Sequence, residues 1–261
     1  MVGIDFTGKI ALVTGGGGGI PGGVARRYAD AGAKVYLTDV SPEKLEAAAA
    51  KMRADGLEVI TEKMDVTDEA EVIGVIDGIV QKEGRLDILL NGAGILYAKP
   101  YMETTREEFE RTLDINLVGM HTCTQAALKH MIPRRYGKIV NICSASTRMG
   151  SPIIAHYSSS KFGTMGLTQS VALAVAEHSI NVNGICPGLV RTDIFDILYA
   201  DRAKKAGKTM DEYAEVVAQG IPMKRLQSAE DIGNAALFLA SDLAFNISGQ
   251  CLNVCGAMRM N

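Results

Sequence analysis

The sequence predicts an α/β fold: a doubly wound parallel sheet of about seven strands with helices on both faces. Three observations predict it. Short apolar runs alternate with segments of helical spacing along nearly the whole chain. The first such unit, Lys9 to Thr14, breaks into Gly15-Gly16-Gly17-Gly18-Gly19 before Val24-Ala25-Arg26-Arg27-Tyr28-Ala29 resumes at helical spacing, which reads as strand, tight turn and helix. Small or polar residues stand at the ends of the strands, where ligands bind in sheets wound by right-handed crossovers.

Composition sets the outer limits. A chain of 261 residues, 47% hydrophobic, can bury a substantial core, and residues 1–261 are expected to form one domain. A net charge of -3 supplies no basic field, so neither nucleic acid nor a membrane surface is expected as a partner. No apolar run reaches the ~20 residues of a membrane helix, and no basic segment with an apolar stretch opens the chain, so a cytoplasmic location is expected. Cys123, Cys143, Cys186, Cys251 and Cys255 are odd in number and lack metal-ligand spacing, hence reduced core thiols and no metal.

In chain order, glycines between the first strand and helix let a ligand approach the backbone, while the helix N-terminus offers free N–H groups to an anion. A pyrophosphate suits Gly15, Gly18, Gly19 and Ile20 better than a flexible linker does, because linkers are not framed by a buried strand and a helix. The second strand, Ala33 to Thr38, ends at Asp39, twenty residues beyond Gly19. A carboxylate there accepts hydrogen bonds from adenosine ribose hydroxyls and repels a 2′-phosphate, so the expected cofactor is NAD. Ser41 caps the next helix, with Pro42 in its first turn. Leu57 to Lys63 forms a strand that delivers Asp65 and Val66 to the adenine edge. Asp68 caps a helix to about Glu83, and Arg85 to Leu90 is a strand closed by Asn91-Gly92-Ala93-Gly94, whose small residues let a nicotinamide ribose lie against the backbone, with Asn91, Ala93 and Gly94 as expected cofactor contacts.

Thr104 or Thr105 opens a long helix ending near Pro133, in which Asn116 is either a satisfied core amide or a site residue. Lys138 to Cys143 is a strand with Ser144 and Ser146 at its tip. A helix from near His156 carries Tyr157 and Lys161 ahead of a smooth apolar face, and Ile180 to Cys186 is a strand stopped by Pro187-Gly188. Residues 189 to about 220 break the alternation and read as two short helices forming a lid over the site, with Phe195, Leu198 and Tyr199 toward the substrate. Ser228 caps a last helix to Ala240, and Gln250 to Val254 closes the sheet.

Tyr157 and Lys161 stand four residues apart, on one helix face. A phenol of pKa ~10 is a poor base near neutrality, and a neighbouring cation lowers that value. Such a phenol can take a proton from an alcohol or return one to a ketone, while the Ser144 hydroxyl bonds the same oxygen. Without the cofactor frame, Tyr and Lys at this spacing would be an ordinary coincidence.

Within that frame, Thr14-Gly15 with Gly19, Asn91-Gly92-Ala93-Gly94, Tyr157 with Lys161, and Pro187-Gly188 together resemble the motifs of the short-chain dehydrogenase/reductase family, over nearly the whole chain. The resemblance implies a Rossmann fold, Tyr157 as general acid/base, Lys161 as its pKa modifier and a ribose ligand, and Ser144 as partner of the substrate oxygen. It also implies Asn116 as holder of a relay water, Val190 and Thr192 as contacts to the nicotinamide amide, and a homotetramer. Two positions depart from the family pattern. Pro21 stands where T-G-x-x-x-G-x-G has its third glycine, removing an N–H and adding bulk, and Gly92 replaces the second asparagine of N-N-A-G, removing a brace between central strands.

The expected activity is NAD-dependent interconversion of a secondary alcohol and a ketone. Its rivals are a non-catalytic dinucleotide-binding protein on the same fold and an NADPH-dependent ketoreductase. Phe195, Leu198 and Tyr199 favour a ring or aliphatic ketone, whereas Ser146, Arg148 and His156 suit a polyol or sugar.

Overall fold

Alternate side chains of each strand point to opposite faces, and here both faces are apolar. In β1 (Ile10–Thr14), Ala11 and Val13 enter one core while Ile10 and Leu12 enter the other. The computed structural model describes residues 3–260 and contains one seven-stranded sheet. The remaining strands are β2 (Lys34–Asp39), β3 (Val59–Lys63), β4 (Ile88–Asn91), β5 (Gly137–Ile142), β6 (Ile180–Pro187) and β7 (Cys251–Val254). Their spatial order is β3-β2-β1-β4-β5-β6-β7 and every pairing is parallel, so the winding reverses between β1 and β4. The predicted doubly wound sheet is therefore present, with strand ends shifted by a few residues.

Helices α1 (Gly19–Asp30), α2 (Pro42–Ala54) and α9 (Ala229–Ala240) cover one face. On the other lie α3 (Glu69–Glu83), α5 (Gly119–Arg134) and α6 (Ala155–Val175). Ser41, Asp68 and Ser228 accept from the backbone N–H three residues on, as N-caps do. Thr105, not Thr104, caps α4 (Arg106–Leu113), through a reciprocal box with Glu108. Residues 189 to 220 hold α7 (Asp193–Lys205) and α8 (Met210–Gln219). Among the described residues, no helix is long and apolar enough to cross a membrane.

Two expectations need correction. The long helix from Thr105 is interrupted by a π-helical turn, Asp114–Val118, which re-aims Asn116 inward. The buried face of α6 is not apolar but carries Ser158, Ser160, Thr164 and Thr168. Three of these hydroxyls are satisfied locally: Ser160 donates to the Tyr157 carbonyl at 2.8 Å, Thr164 to that of Lys161 at 2.8 Å and Thr168 to that of Thr164 at 2.7 Å, while Ser158 Oγ is buried with no partner among the described residues. Asn141 Nδ2 then donates to Thr168 Oγ1 at 2.9 Å, and Asn91 Nδ2 to Asn141 Oδ1 at 2.8 Å and to Thr124 Oγ1 at 3.0 Å. Asn91 thus braces β4 against β5 and α5 despite Gly92 beside it. Apolar Phe162 and Leu173 of α6 face outward instead, 42% and 83% exposed.

At the amino ends of the strands, Asp87 ties three of them together. It is fully buried, and its Oδ2 accepts from the Ile10 amide at 3.0 Å. Arg85 donates to both carboxylate oxygens at 2.7 and 2.6 Å, and Arg134 to Oδ1 at 3.0 Å. Its backbone bonds Ile10 on one side and Lys138 on the other. Burial pushes its pKa up, but the hydrogen bonds from Arg85, Ile10 and Arg134 outweigh this and hold it below the usual value.

Replacing Asp87 with Asn should therefore cost about 2–4 kcal/mol, below the full penalty of a broken buried pair because both arginines are part-exposed to water. Urea unfolding should show an earlier midpoint with unchanged slope. Because the folded-state pKa is depressed, the parent's advantage is full above the unfolded value of about 4 and is lost as pH falls through the folded-state value.

Candidate active site

Strands that end in turns rather than in long connections leave their carboxyl ends open, and at the β1/β4 reversal this opening widens into a cleft of about 640 Å³. The turn after β1 is built by Gly15, at φ 70°, which places the following residues under the start of α1. Gly16 N–H donates to the Thr38 carbonyl at 2.8 Å, and Gly18 N–H to that of Gly15 at 2.9 Å. The first amide of α1 to close a helical bond is Gly22, onto Gly18. The amides of Gly19 and Ile20 have no backbone partner among the described residues, and both residues line the cleft. Two free amides at the positive end of a helix suit one anionic pyrophosphate.

Crowding confirms that the glycines are there for space. A Cβ on Gly19 would stand 2.7 Å from Thr192 Cγ2, and one on Gly17 would stand 3.0 Å from Asp39 Oδ2. Asp39 is fixed at the tip of β2, accepting from Gly17 N–H at 3.0 Å and Ser41 N–H at 2.9 Å. Asp65 and Val66 line the next part of the wall. The Asp65 carboxylate is held by the Thr67 amide and hydroxyl at 2.9 and 2.8 Å, which lower its pKa. Cleft, free amides and a carboxylate at the ribose end together fit a dinucleotide.

Opposite, Ala93 and Gly94 form the wall after β4, while Pro187, Gly188, Val190 and Thr192 form the wall after β6. Asn91 lies behind the wall rather than on it. Asn116 also stays out of the lining: its Oδ1 accepts from Ile95 N–H at 2.8 Å, and its Nδ2 donates to the Ile95 carbonyl at 3.0 Å and to Ser160 Oγ at 3.1 Å. These bonds satisfy its amide, and they fix the segment after Gly94.

Ser144, Tyr157 and Lys161 meet in the cleft. Lys161 is buried, donates to the Ile142 carbonyl at 2.6 Å, and stands 5.6 Å from the centroid of the Tyr157 ring. Burial pushes Tyr157 up to about 12, against a hydrogen bond with Ser144 that acts to lower it, and burial pushes Lys161 down.

Toward the substrate end, Phe195 and Leu198 reach the lining and Tyr199 does not. Tyr199 packs between Phe195 and Tyr213, with ring centroids 4.7 and 6.0 Å away, and so clamps α7 to α8. Ser146 is also displaced. It sits in a 3₁₀ turn, Ala145–Arg148, where its amide donates to Ser144 Oγ at 3.0 Å, so it supports Ser144 without facing the cleft. Arg148 donates to the Cys251 carbonyl at 3.0 Å, and His156 is fully buried with Nε2 accepting from Tyr97 N–H at 3.3 Å. The sequence missed Ile95, Leu96, Tyr97 and Cys143, which line the cleft directly after the strand-end motifs, and Lys44, which reaches across its mouth to Asp193 at 3.3 Å. Simple adjacency to Gly94 and Ser144 was the available signal for the first four.

Comparison with known proteins bears on this geometry. A model of the short chain dehydrogenase family matches residues 9–203. Galactitol 2-dehydrogenase of Agrobacterium fabrum is 37% identical over 254 residues, spanning 97% of this chain and 98% of that protein. Among solved structures, a variant of actinorhodin polyketide ketoreductase with NADPH aligns at TM-score 0.91 and 29% identity, over 96% of this chain and 97% of that one. NAD⁺-bound xylitol dehydrogenase aligns at TM-score 0.90 and 33% identity, over 97% and 99%. A glycine turn with two free amides at the sheet reversal and a Ser-Tyr-Lys group in the same cleft, on a chain alignable end to end with these enzymes, have one reading: the protein belongs to the short-chain dehydrogenase family.

Proposed function

We propose that the protein is an NAD-dependent dehydrogenase of secondary alcohols, running in reverse as a ketone reductase. The observation that carries this is the arrangement along one cleft: Asp39 at one end, two free amides in the middle, and Ser144, Tyr157 and Lys161 at the other. Gly18, Gly19 and Ile20 would hold the pyrophosphate, Asp39 the adenosine ribose, and Asp65 and Val66 the adenine edge. Ala93, Gly94 and Lys161 would hold the nicotinamide ribose, and Pro187, Gly188, Val190 and Thr192 the nicotinamide. When bound, the nicotinamide exchanges a hydride with the carbinol carbon.

The chain's own residues handle the proton. Ser144 Oγ orients the substrate oxygen, and Tyr157 Oη takes its proton in oxidation or supplies one in reduction. With Tyr157 pushed up to about 12, the acid form needed for reduction is present at neutral pH and the base form needed for oxidation is scarce. Lys161, tethered to the Ile142 carbonyl, keeps a cation beside the developing phenolate.

Leu96, Ile194, Ile197 and Leu198 make the substrate end apolar, which favours a ring or aliphatic ketone. Ser146, Arg148 and His156, the residues that suited a polyol, do not line it. The polyol reading keeps support from the galactitol and xylitol dehydrogenases the chain resembles. We further propose that α7 and α8 act as a lid on a single domain and that the chain works in the cytoplasm as a homotetramer, which would cover outward Phe162 and Leu173 on α6 and Leu252 on β7.

Tyr157→Phe should lower kcat by about 10²–10⁴ while NADH fluorescence still reports binding. Near-full turnover in this variant would assign the proton transfer elsewhere. In the parent, alcohol oxidation should climb with pH through the alkaline range, whereas ketone reduction should stay level from neutrality until the phenol ionises.

For the cofactor, kcat/KM should be far higher with NAD⁺ than with NADP⁺, and Asp39→Ala should narrow the gap by removing the repulsion of a 2′-phosphate. Equal efficiency with both in the parent protein would overturn the choice.

Sedimentation at micromolar concentration should give four times the chain mass. A clean monomer would remove the assembly from the proposal.

A further inference from the structure

We infer that Pro21 and Gly92, the two positions at which the chain departs from its family's motifs, are a matched pair in which the proline ring fills the space a side chain at 92 would need. Together they set the gap between the two walls of the dinucleotide cleft, a consequence that rests on the cofactor reading above. The contact is steric. A Cβ on Gly92 would stand 2.7 Å from Pro21 Cγ, 2.9 Å from Pro21 Cβ and 2.7 Å from the Thr14 carbonyl oxygen. Gly92 is not at positive φ, so its backbone conformation would admit a side chain and only the lack of room refuses one.

The contact sits where displacement matters. Thr14 Oγ1 accepts from Gly92 N–H at 3.0 Å and from Ala93 N–H at 3.3 Å, joining the end of β1 to the turn after β4. One residue further, a Cβ on Gly15 would stand 2.7 Å from Ala93 Cα. Between β1 with the turn after it and the turn carrying Ala93-Gly94 there is thus no room for a Cβ at either Gly15 or Gly92. Pro21 belongs to the first turn of α1 and is buried, lacks the N–H a glycine would show to the pyrophosphate, and in exchange presses that turn onto the β4 side. A side chain at 92 with the ring in place must drive the two walls apart. Without the ring, it can move into the vacated space and away from the Thr14 carbonyl.

A double-mutant cycle tests this: the parent, Gly92→Ala, Pro21→Gly, and the double variant, each read by NADH fluorescence titration and by melting temperature without cofactor. The helix cost of glycine at 21 is common to both members of its side of the cycle and cancels. Gly92→Ala alone should weaken NADH binding about 10-fold or more and lower the melting temperature, whereas in the Pro21→Gly background the same change should cost about 3-fold or less. If Gly92→Ala is not recovered folded but the double variant is, that rescue is the same result. Equal fold-changes in both backgrounds, no effect of Gly92→Ala in the parent, or failure of both alanine variants to fold would overturn the pairing. Should the parent itself bind no NADH, the cofactor reading falls, and the melting-temperature cycle alone still decides whether Pro21 and Gly92 are coupled.

Discussion

The molecule depends on the packing of two turns at the point where the sheet reverses its winding. A parallel sheet must leave the carboxyl ends of its strands free of hairpins, and at β1 and β4 the chain departs in opposite directions. Both departing segments need the same small volume beside Thr14. Its hydroxyl accepts from two amides of the neighbouring turn, and the glycines on either side remove every Cβ that would compete for the space. These turns flank the cleft and are joined at this point.

Charge and steric fit are divided between the two ends of the same strands. At the amino ends, a buried carboxylate with two arginines holds β1, β4 and β5 in register. At the carboxyl ends no buried ion pair is present among the described residues; hydrogen bonds such as those of Thr14 and Asp39 and close packing hold the turns, leaving free donors at the start of α1. Between the two, the amide and hydroxyl chain of Asn91, Asn141, Thr124 and Thr168 gives the middle of the sheet directional contacts that an apolar layer would lack.

Burial shifts the two ionisable groups on the cleft floor, Tyr157 and Lys161, more than their neighbours do. Tyr157 and Lys161 each shift toward their neutral forms because the cleft floor withdraws them from water. A positive charge brought close to Tyr157 would act the other way and favour the phenolate.

The sequence by itself determined the alternation of strands and helices, the caps at Ser41, Asp68 and Ser228, and the placing of Asp39, Ser144, Tyr157 and Lys161 at strand ends or on one helix face. Those are local matters, governed by hydrophobic period, cap chemistry and four-residue helical spacing. Only the tertiary structure decided which polar residues face the cleft. Asn116 turned inward because a π-helical turn shifts the helix phase, and Ser146 and Tyr199 turned away because a 3₁₀ turn and a three-ring stack took them up. The α6 face expected to be smoothly apolar instead buries hydroxyls, three of which find carbonyl or asparagine partners that only the fold supplies. Pro21 and Gly92 read as two separate losses, since 71 positions divide them in the chain. Contact across a fold has no period in sequence, so their complementarity could be found only where β1 and β4 lie side by side.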